Sequence, residues 1–393
     1  MRNELGGSFV NNPLVLASKE LYLRLVHSVS KKSKKKNNKI VFLLSFPSAS
    51  QLALQALFDS FSEELVICYT KNGKELASYY QQKGCLTYNI DDFPVLLRDI
   101  VPIVTNSQLV FCDNYFAFFA GINFQAKTKV VQLWHANGAI KTFGLEAAYT
   151  KNVTKKDHQR YLEVYNKFTH YVVSSQKMAN VFAKNYRQKI NELPFGYLPT
   201  DFYFDKFWMH DVKKMFRDTI STKKKVALYV PTYRENKTII PLDFSDLANQ
   251  LGDKWQVLVK AHPHDSNLYQ QVKNESKIVS DFNGLDLAHI LPSVDCLITD
   301  YSSIPFEYSL ANPEGKMVFF CFDYEQYNKE VGIEEGFEDW APGQIVTTQE
   351  ELISAIQSPS KQGFTSFNQM WNEYAQGRAC ERLVKWVEKV YDN

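Results

Sequence analysis

The sequence predicts an α/β protein with two doubly wound domains, each built on a parallel sheet that helices cover. Three observations support this fold class. The chain has 393 residues, which is more than one ordinary domain holds. Short, continuous apolar runs alternate with helix-like segments from residue 40 to about residue 200, and the alternation starts again after about residue 220. Buried parallel strands joined by helices give this pattern, so we expect one sheet in each half.

The elements of both halves can be placed from these runs. In the first half, the apolar runs of strand length are 40–46, 64–70, 108–114, 129–135 and 170–175. The segments with helical spacing there include 92–104, 156–168 and 176–187. In the second half, the strand-like runs are 225–233, 255–264, 277–281, 295–300 and 317–322. The helical segments there include 242–251, 286–291, 303–311 and 348–357.

A stretch rich in proline, glycine and aromatic residues, 193–204, separates the halves and has the composition of a linker. We therefore divide the chain into four parts. These are an N-terminal segment 1–39, Rossmann-like domains at 40–204 and 205–360, and C-terminal helices 361–393 that pack back across both domains. Two such domains facing each other leave a cleft at the carboxyl ends of their strands, where open α/β sheets bind ligands.

Composition excludes several classes of protein. The formal net charge of +2 is too small for a nucleic-acid-binding polycation, so no nucleic-acid partner is expected. The six cysteines are scattered without a Cys-x-x-Cys pair, which indicates reduced thiols rather than disulfides or a zinc site. No dinucleotide-binding glycine motif, no P-loop and no strand-end Asp-x-Asp pair appear, so we expect no cofactor and no metal. We also see no signal peptide and no membrane-spanning stretch.

The N-terminal region combines a helical pattern with a lysine cluster. Apolar residues at helical spacing in 13–29 include Leu14, Leu21 and Leu25. Five of the lysines that follow are Lys31, Lys32, Lys34, Lys35 and Lys36. Such a segment can lie on an anionic membrane surface, at about 1 kcal/mol per lysine near the headgroups. The alternative is a helix that packs on the protein's own body, followed by a solvated linker.

One candidate site residue ends a strand-like run of the first domain. The run 129–135 ends on His135, and Asn137 and Gly138 follow in a turn. A neutral imidazole at the carboxyl edge of a sheet can take a proton from an attacking hydroxyl. The turn can offer backbone N–H groups to an anion. The alternative is a core histidine hydrogen-bonded to a carbonyl group.

The second domain repeats this arrangement. The run 255–264 carries His262, which Pro263 follows, near the end of a strand. A strand-end histidine in each domain is a stronger indication of function than either histidine alone. We therefore expect both imidazoles to point into the cleft.

A third element is the segment 297–309, in which Asp300 ends a buried strand and Ser302 and Ser303 begin a helix. A helix start with two hydroxyls and unpaired N–H groups suits a phosphate group. Glu307 lies one turn later and suits a ribose diol. The alternatives are plain capping by the serines and a carboxylate that the helix dipole favours.

A fourth element is the end of the run 225–233, which closes with Thr232 and continues to Arg234. The guanidinium group makes forked contacts with phosphate oxygens. A solvated arginine is the alternative. Because this domain also carries the helix start, we predict a phosphate contact for Arg234.

Four motifs in this order and spacing resemble the CDP-glycerol glycerophosphotransferase family, whose members build wall teichoic acid in Gram-positive bacteria. They are WHANGAIKTFGLE (134–146), YVPTYRE (229–235), VKAHPH (259–264) and LITDYSSIPFEYS (297–309). The resemblance covers most of the chain from about 105 to 385, including CDNYF (112–116). The WHANG sequence and the absence of a large extra N-terminal module place the chain closest to the primase branch. The loop within 311–320 departs from the family in having extra residues.

The resemblance implies a GT-B-like fold in which the first domain binds the acceptor and the second binds CDP-glycerol. The implied reaction moves one glycerol phosphate from CDP-glycerol to an undecaprenyl-diphosphate-linked disaccharide of N-acetylglucosamine and N-acetylmannosamine, with release of CMP. The implied location is peripheral, on the cytoplasmic face of the cell membrane. The N-terminal helix and the lysine cluster would then contact that membrane.

The motifs also imply roles for individual residues. His135 would be the general base and His262 would stabilise the departing CMP, although the two roles can be exchanged. The residues expected to bind substrate are Asn137, Gly138, Thr232, Arg234, Asp300, Ser302, Ser303 and Glu307. A poly(glycerol phosphate) or ribitol-phosphate polymerase is an alternative within the class. A GT-B sugar-nucleotide glycosyltransferase and a non-catalytic nucleotide-binding membrane scaffold are alternatives outside it.

Overall fold

The computed structural model describes residues 13–33, 37–234, 239–262, 265–359 and 363–391. These residues form two units. The first unit contains the described residues up to 136, residues 143–199 and those from 374 onwards. The second contains 137–142 and the described residues of 200–373. The short segment 137–142 therefore belongs to the second unit, although the chain on both sides of it belongs to the first.

Thirteen strands and seventeen α-helices carry the described fold. The strands are β1 Ile40–Leu44, β2 Leu65–Tyr69, β3 Leu86–Asn89, β4 Leu109–Cys112, β5 Lys129–Gln132, β6 His170–Val172, β7 Glu192–Leu193, β8 Lys225–Tyr229, β9 Trp255–Val259, β10 Ile278–Val279, β11 Cys296–Thr299, β12 Lys316–Phe320 and β13 Gln344–Val346. The helices are α1 Pro13–Lys32, α2 Pro47–Phe61, α3 Lys74–Gln82, α4 Phe93–Val95, α5 Val101–Asn106, α6 Lys155–Tyr165, α7 Gln176–Tyr186, α8 Lys206–Ile220, α9 Phe244–Leu251, α10 Ser266–Val272, α11 Leu287–Ile290, α12 Ile304–Ala311, α13 Tyr324–Glu330, α14 Phe337–Trp340, α15 Gln349–Gln357, α16 Thr365–Trp371 and α17 Ala379–Tyr391.

The sheet of the first unit has the strand order β3-β2-β1-β4-β5-β6-β7, and every pairing in it is parallel. Its central strands β1 and β4 are buried along their whole length, as expected for a sheet covered on both faces. On one face, Phe42 and Phe111 pack in a core cluster that includes Leu54 of α2 and Leu383 of α17. The last helix therefore completes the core of the first unit.

The sheet of the second unit has the order β10-β9-β8-β11-β12-β13 and is also parallel throughout. Strands β8 and β11 lie side by side at its centre, with β12 next to β11. Tyr229, Ile298 and Phe320 join one core cluster on this sheet. Two parallel sheets, one in each half, confirm the predicted fold class.

Three short strands, β3, β7 and β13, were not predicted from the sequence. They occupy the sheet edges, with β3 and β7 on the first sheet and β13 on the second. Edge strands are only partly covered, so their residues need not form a continuous apolar run. Leu86 on β3, for example, is 52% exposed.

The helical pattern near the N-terminus forms α1, which packs on the first unit. Val26 is fully buried, and the Lys19 ammonium lies 3.0 Å from the Asp157 carboxylate of α6. Three leucines remain outside this contact: Leu14 is 79% exposed, Leu21 59% and Leu25 39%. Lys31 and Lys32 end the helix, whereas Lys34, Lys35 and Lys36 lie outside the described residues. Of the helices that the structure describes, none is both long and apolar enough to cross a bilayer.

Candidate active site

The backbone that leads to His135 adopts an unusual conformation. β5 ends at Gln132, three residues before the predicted strand end, so His135 lies in the loop after the strand. Trp134 has φ = 65°, in the left-handed region that aromatic residues rarely adopt. This conformation costs about 1–2 kcal/mol, and a hydrogen bond of 2.9 Å from the Trp134 N–H to the Gln132 side chain helps to hold it. Backbone strain of this kind is concentrated at functional sites.

One hydrogen bond and two aromatic rings orient the His135 imidazole. Its Nδ1 atom lies 2.7 Å from the carbonyl oxygen of Asp113. A carbonyl oxygen only accepts, so Nδ1 carries a proton, and in the neutral form of the ring the lone pair is on Nε2. The Phe46 ring stacks on the imidazole at 3.8 Å and 11°, and the Trp134 ring lies 4.5 Å away. The hydrogen bond to a carbonyl is the contact that the core alternative predicts, and the role of Nε2 as a general base stays a prediction.

Asp113 is a site residue that sequence reasoning missed. Its carboxylate is buried and accepts hydrogen bonds from the N–H groups of Ser45 and Phe46 and from the hydroxyl of Ser50. Burial raises the pKa of Asp113 to about 6, although those hydrogen bonds act in the opposite direction. The side chain is therefore ionised at neutral pH. The available signal was the position of Asp113 directly after an apolar strand, as with Asp300.

Asn137 and Gly138 lie in the second unit, in surroundings that differ from the predicted anion-facing turn. The Asn137 amide donates to the Asn372 side chain at 2.8 Å and is 1% exposed. A Cβ atom built on Gly138 would lie 2.7 Å from the Phe306 ring. Packing against α12 therefore explains the glycine, and a role for these two residues in substrate binding stays a prediction.

His262 follows β9, which ends at Val259, again three residues before the histidine. The side chain is exposed, and the Tyr233 ring stacks on the imidazole at 5.1 Å. Pro263 and His264 lie outside the described residues. An exposed imidazole beside an aromatic ring can reach a ligand from solvent.

Arg234 has a different setting from the predicted open fork for phosphate. Its guanidinium is buried, with Nε 2.6 Å and Nη2 2.9 Å from the two Asp323 oxygens. Nη2 also lies 2.9 Å from an oxygen of Asp300, and Nη1 donates to the Thr232 carbonyl. Burial lowers the pKa of Arg234, but the Asp323 hydrogen bonds and the Asp300 charge outweigh burial and raise it above its usual value. The structure thus assigns this arginine to neutralising two buried carboxylates.

Asp300 and Asp323 join the ends of three adjacent strands through that guanidinium. Asp300 follows β11, is fully buried and accepts from the N–H groups of Thr232 and Tyr301. Asp323 follows β12 and accepts from the Tyr301 hydroxyl at 3.1 Å. Sequence reasoning missed Asp323, although it too follows an apolar strand closely. The arrangement fixes the loops after β8, β11 and β12 relative to one another.

Three hydroxyl groups lie in these loops. Ser302 contacts Thr299 at 3.1 Å and accepts from the Ile304 N–H at 3.3 Å, which is the predicted capping. Ser303 makes no hydrogen bond through its hydroxyl to any described residue. The Thr232 hydroxyl is buried and has no hydrogen-bond partner among the described residues. Buried hydroxyls normally have partners, so this one lacks a hydrogen bond that a ligand would supply.

Glu307 lies one turn after Ser303 on α12, so both side chains are on the same helical face. It is half-buried and has no ion pair or hydrogen bond within the described residues. Burial, with a smaller effect from Asp286, raises the pKa of Glu307 to about 7. Burial of a carboxylate without a hydrogen-bond partner costs free energy, and a ligand that donates hydrogen bonds from its hydroxyl groups would offset that cost.

The described residues contain no group of histidine, cysteine or carboxylate side chains that could hold a metal ion.

Comparison with known proteins identifies the family. The family profile described as CDP-Glycerol:Poly(glycerophosphate) glycerophosphotransferase matches residues 26–389. The chain is 32% identical to the teichoic acid glycerol-phosphate primase of Bacillus subtilis (strain 168), covering 91% of this chain and 93% of that protein. It is 25% identical to the corresponding primase of Staphylococcus aureus (strain NCTC 8325 / PS 47), over 89% of this chain and 91% of that protein.

A solved structure of the wall teichoic acid polymerase TagF matches with a TM-score of 0.73 at 17% identity, covering 96% of this chain and 95% of that chain. This likeness confirms the predicted GT-B-like fold class. The profile match and the primase similarity together confirm the family that the four motifs predicted. The chain belongs to the CDP-glycerol:poly(glycerophosphate) glycerophosphotransferase family and is a transferase of teichoic acid synthesis.

Proposed function

We propose that the chain transfers one glycerol phosphate from CDP-glycerol to an undecaprenyl-diphosphate-linked disaccharide of N-acetylglucosamine and N-acetylmannosamine, releasing CMP. Similarity along almost the full length of two glycerol-phosphate primases supports this function over a polymerase. The observation that carries the chemistry is the 2.7 Å contact between His135 Nδ1 and the Asp113 carbonyl oxygen, because a proton on Nδ1 leaves the lone pair of the neutral imidazole on Nε2.

The reaction forms one P–O bond and breaks another. Nε2 of His135 accepts the proton of the acceptor hydroxyl, whose oxygen attacks the glycerol-bearing phosphorus of CDP-glycerol. The bond from that phosphorus to the bridging oxygen breaks, and CMP leaves with the bridging oxygen. His262 donates a hydrogen bond to the diphosphate and stabilises the charge on the departing CMP. Such transfers depend on positioning and charge neutralisation more than on covalent catalysis.

CDP-glycerol binds the second unit at the ends of β8 and β11 in this proposal. The hydroxyls of Thr232 and Ser303, with the N–H groups at the start of α12, donate to the diphosphate. Ser302 supports that turn, and Glu307 accepts from the ribose hydroxyls. Arg234 and Asp300 fix the loop that carries Thr232 rather than touching the phosphates.

The decisive experiment incubates the purified chain with CDP-glycerol and a short-chain lipid analogue of the acceptor. We expect CMP release and a product heavier by one glycerol phosphate. Addition of many units would identify a polymerase, and UDP release from UDP-sugars would identify a glycosyltransferase. CDP-glycerol binding without turnover would identify a non-catalytic scaffold.

Two substitutions test the catalytic assignment in the same assay. His135→Ala and His262→Ala should each reduce CMP release by at least about 100-fold while circular dichroism stays unchanged. Near-wild-type turnover in either variant would reject the role of that histidine.

We further propose that α1 holds the protein against the cytoplasmic face of the membrane, close to the lipid-linked acceptor. The exposed leucines Leu14, Leu21 and Leu25 share one face of the helix, and Lys31 and Lys32 end it. A triple Leu→Ser variant of these leucines should lose binding to phosphatidylglycerol vesicles. Leu86→Ser, at an exposed leucine of edge strand β3, is the control and should bind as the wild type does. Equal binding by both variants would exclude this helix.

A further inference from the structure

Asp113 occupies a position from which one residue restrains two neighbouring strand ends. It directly follows β4, which lies between β1 and β5 in the sheet. Its carboxylate faces the end of β1, where it accepts from Ser45 N at 2.8 Å and Phe46 N at 2.7 Å. Its carbonyl oxygen faces the loop after β5 and accepts from His135 Nδ1 at 2.7 Å.

The side-chain contact joins Asp113 to the residues that lead into α2. Two other helices of this unit, α6 and α7, begin with Thr154 and Ser175, whose own hydroxyls accept from the helix. The residue before α2 is Phe46, which has no capping side chain. Asp113 accepts from the N–H group of Phe46 at 2.7 Å and from the hydroxyl of Ser50, within the helix, at 2.8 Å. The start of α2 is therefore tied to the end of β4.

The helix start in turn positions an aromatic ring over the imidazole. Phe46 gives its N–H to Asp113 and lays its ring on His135 at 3.8 Å and 11°. Rotation of the imidazole is thus restrained at its face by Phe46 and at its edge by the Asp113 carbonyl. Both restraints originate from the same residue.

We propose that Asp113 is a positioning residue for His135: through its carboxylate it places Phe46, and through its carbonyl it sets the Nδ1–H tautomer. This inference rests on the proposed role of His135 as general base. Asp113 touches no substrate atom in this proposal. It affects the rate by holding the imidazole in one orientation, with Nε2 directed at the acceptor hydroxyl, which is the geometry that proton transfer requires.

The variant Asp113→Asn tests the proposal with nearly unchanged volume. The amide replaces one acceptor oxygen with an NH₂ donor, which faces N–H and O–H donors at the start of α2. We expect kcat to fall by about tenfold or more, while KM for CDP-glycerol changes by less than about twofold. Nitrogen NMR of ¹⁵N-histidine-labelled protein should show the Nδ1–H tautomer at His135 in the wild type and a tautomer mixture in the variant. His135→Gln identifies the resonances.

Asp205→Asn is the matched control. Asp205 also accepts from two backbone N–H groups, those of Phe207 and Trp208 in the 15-residue helix α8, whereas Asp113 accepts from the two residues before the 15-residue α2. This control should keep the wild-type kcat and the His135 tautomer. If Asp113→Asn does not fold, Phe46→Leu removes the stacking ring alone, and a fall in kcat with unchanged KM is again expected.

A wild-type tautomer together with a wild-type kcat in Asp113→Asn or in Phe46→Leu would overturn the proposal. The spectra are recorded without substrate. A wild-type enzyme that releases no CMP would therefore contradict the proposed function, whereas the tautomer comparison would still decide the role of Asp113.

Discussion

The Arg234 guanidinium makes a two-pronged hydrogen bond with the Asp323 carboxylate, at 2.6 Å and 2.9 Å, inside the second unit. The same guanidinium lies 2.9 Å from Asp300. One positive charge thus compensates the fully buried carboxylate of Asp300 and the largely buried carboxylate of Asp323, which would otherwise have no counter-charge. These contacts give Arg234 a structural role at a position where the sequence predicted a contact with phosphate.

Arg234→Ala should destabilise the protein by about 3–5 kcal/mol, because it leaves Asp300 and Asp323 buried without a counter-charge. Urea unfolding followed by circular dichroism measures this. Arg98→Ala is the control, since Arg98 also makes a forked contact with a carboxylate, that of Asp99, but is 73% exposed. This variant should lose less than about 1 kcal/mol of the free energy of unfolding. Equal losses in the two variants would contradict the structural role of Arg234.

Thr232→Val should separate ligand binding from stability. The Thr232 hydroxyl has no partner in the described part of the chain, so replacing it with a methyl group should leave unfolding unchanged or slightly raise Tm. KM for CDP-glycerol should rise about tenfold, as expected for the loss of a hydrogen bond to a charged group. Thr299→Val is the comparison, because the Thr299 hydroxyl donates to the Val230 carbonyl and contacts the Ser302 hydroxyl. Loss of these contacts should lower the free energy of unfolding by about 1–3 kcal/mol. An unchanged KM in Thr232→Val would remove this residue from the donor site.

Glu307→Gln should stabilise the unliganded protein above neutral pH. The pKa of Glu307 is raised from 4.5 to about 7, so its contribution to stability is complete below pH 4.5 and is lost as the pH rises through 7. The variant should therefore unfold with about 1–3 kcal/mol more free energy than the wild type at pH 8.5, and with no gain at pH 4.5. Thermal unfolding at the two pH values checks this, and a gain independent of pH would contradict it.

The same carboxylate should make donor binding depend on pH. If Glu307 accepts from the ribose hydroxyls, KM for CDP-glycerol should rise as the pH falls below about 7, up to tenfold per unit. Glu307→Gln should have a higher KM at pH 8 and lose this dependence. A variant that keeps the wild-type pH profile would show that another group is responsible.

Gly138→Ala should disturb packing in the second unit. The added Cβ atom would lie 2.7 Å from three atoms of the Phe306 ring, so we expect a loss of about 1–3 kcal/mol. Phe306→Leu replaces that ring with a smaller side chain. The double variant should therefore lose less free energy of unfolding than the sum of the two single variants. Additive losses would show that the glycine is required for another reason, such as a ligand at its N–H group.

Much of this fold could be predicted from the sequence, because buried parallel strands are short continuous apolar runs and the helices between them keep helical spacing. Both histidines and the Ser302-Ser303 pair could be selected as candidates because the ends of strands and the starts of helices are local features. The family followed from four motifs that are also local. The edge strands were missed because partial exposure interrupts the apolar pattern.

The partners of these residues depend on strand order, which no local pattern contains. Arg234 meets Asp323, 89 positions along the chain, because β8, β11 and β12 are neighbours in one sheet. Asp113 restrains both Phe46 and His135 because β4 lies between β1 and β5. The sequence by itself determined which polar residues closely follow the strands. Only the tertiary structure decided their partners: Arg234 pairs with the Asp300 and Asp323 carboxylates, whereas His135 is held by the Asp113 carbonyl group and the Phe46 ring.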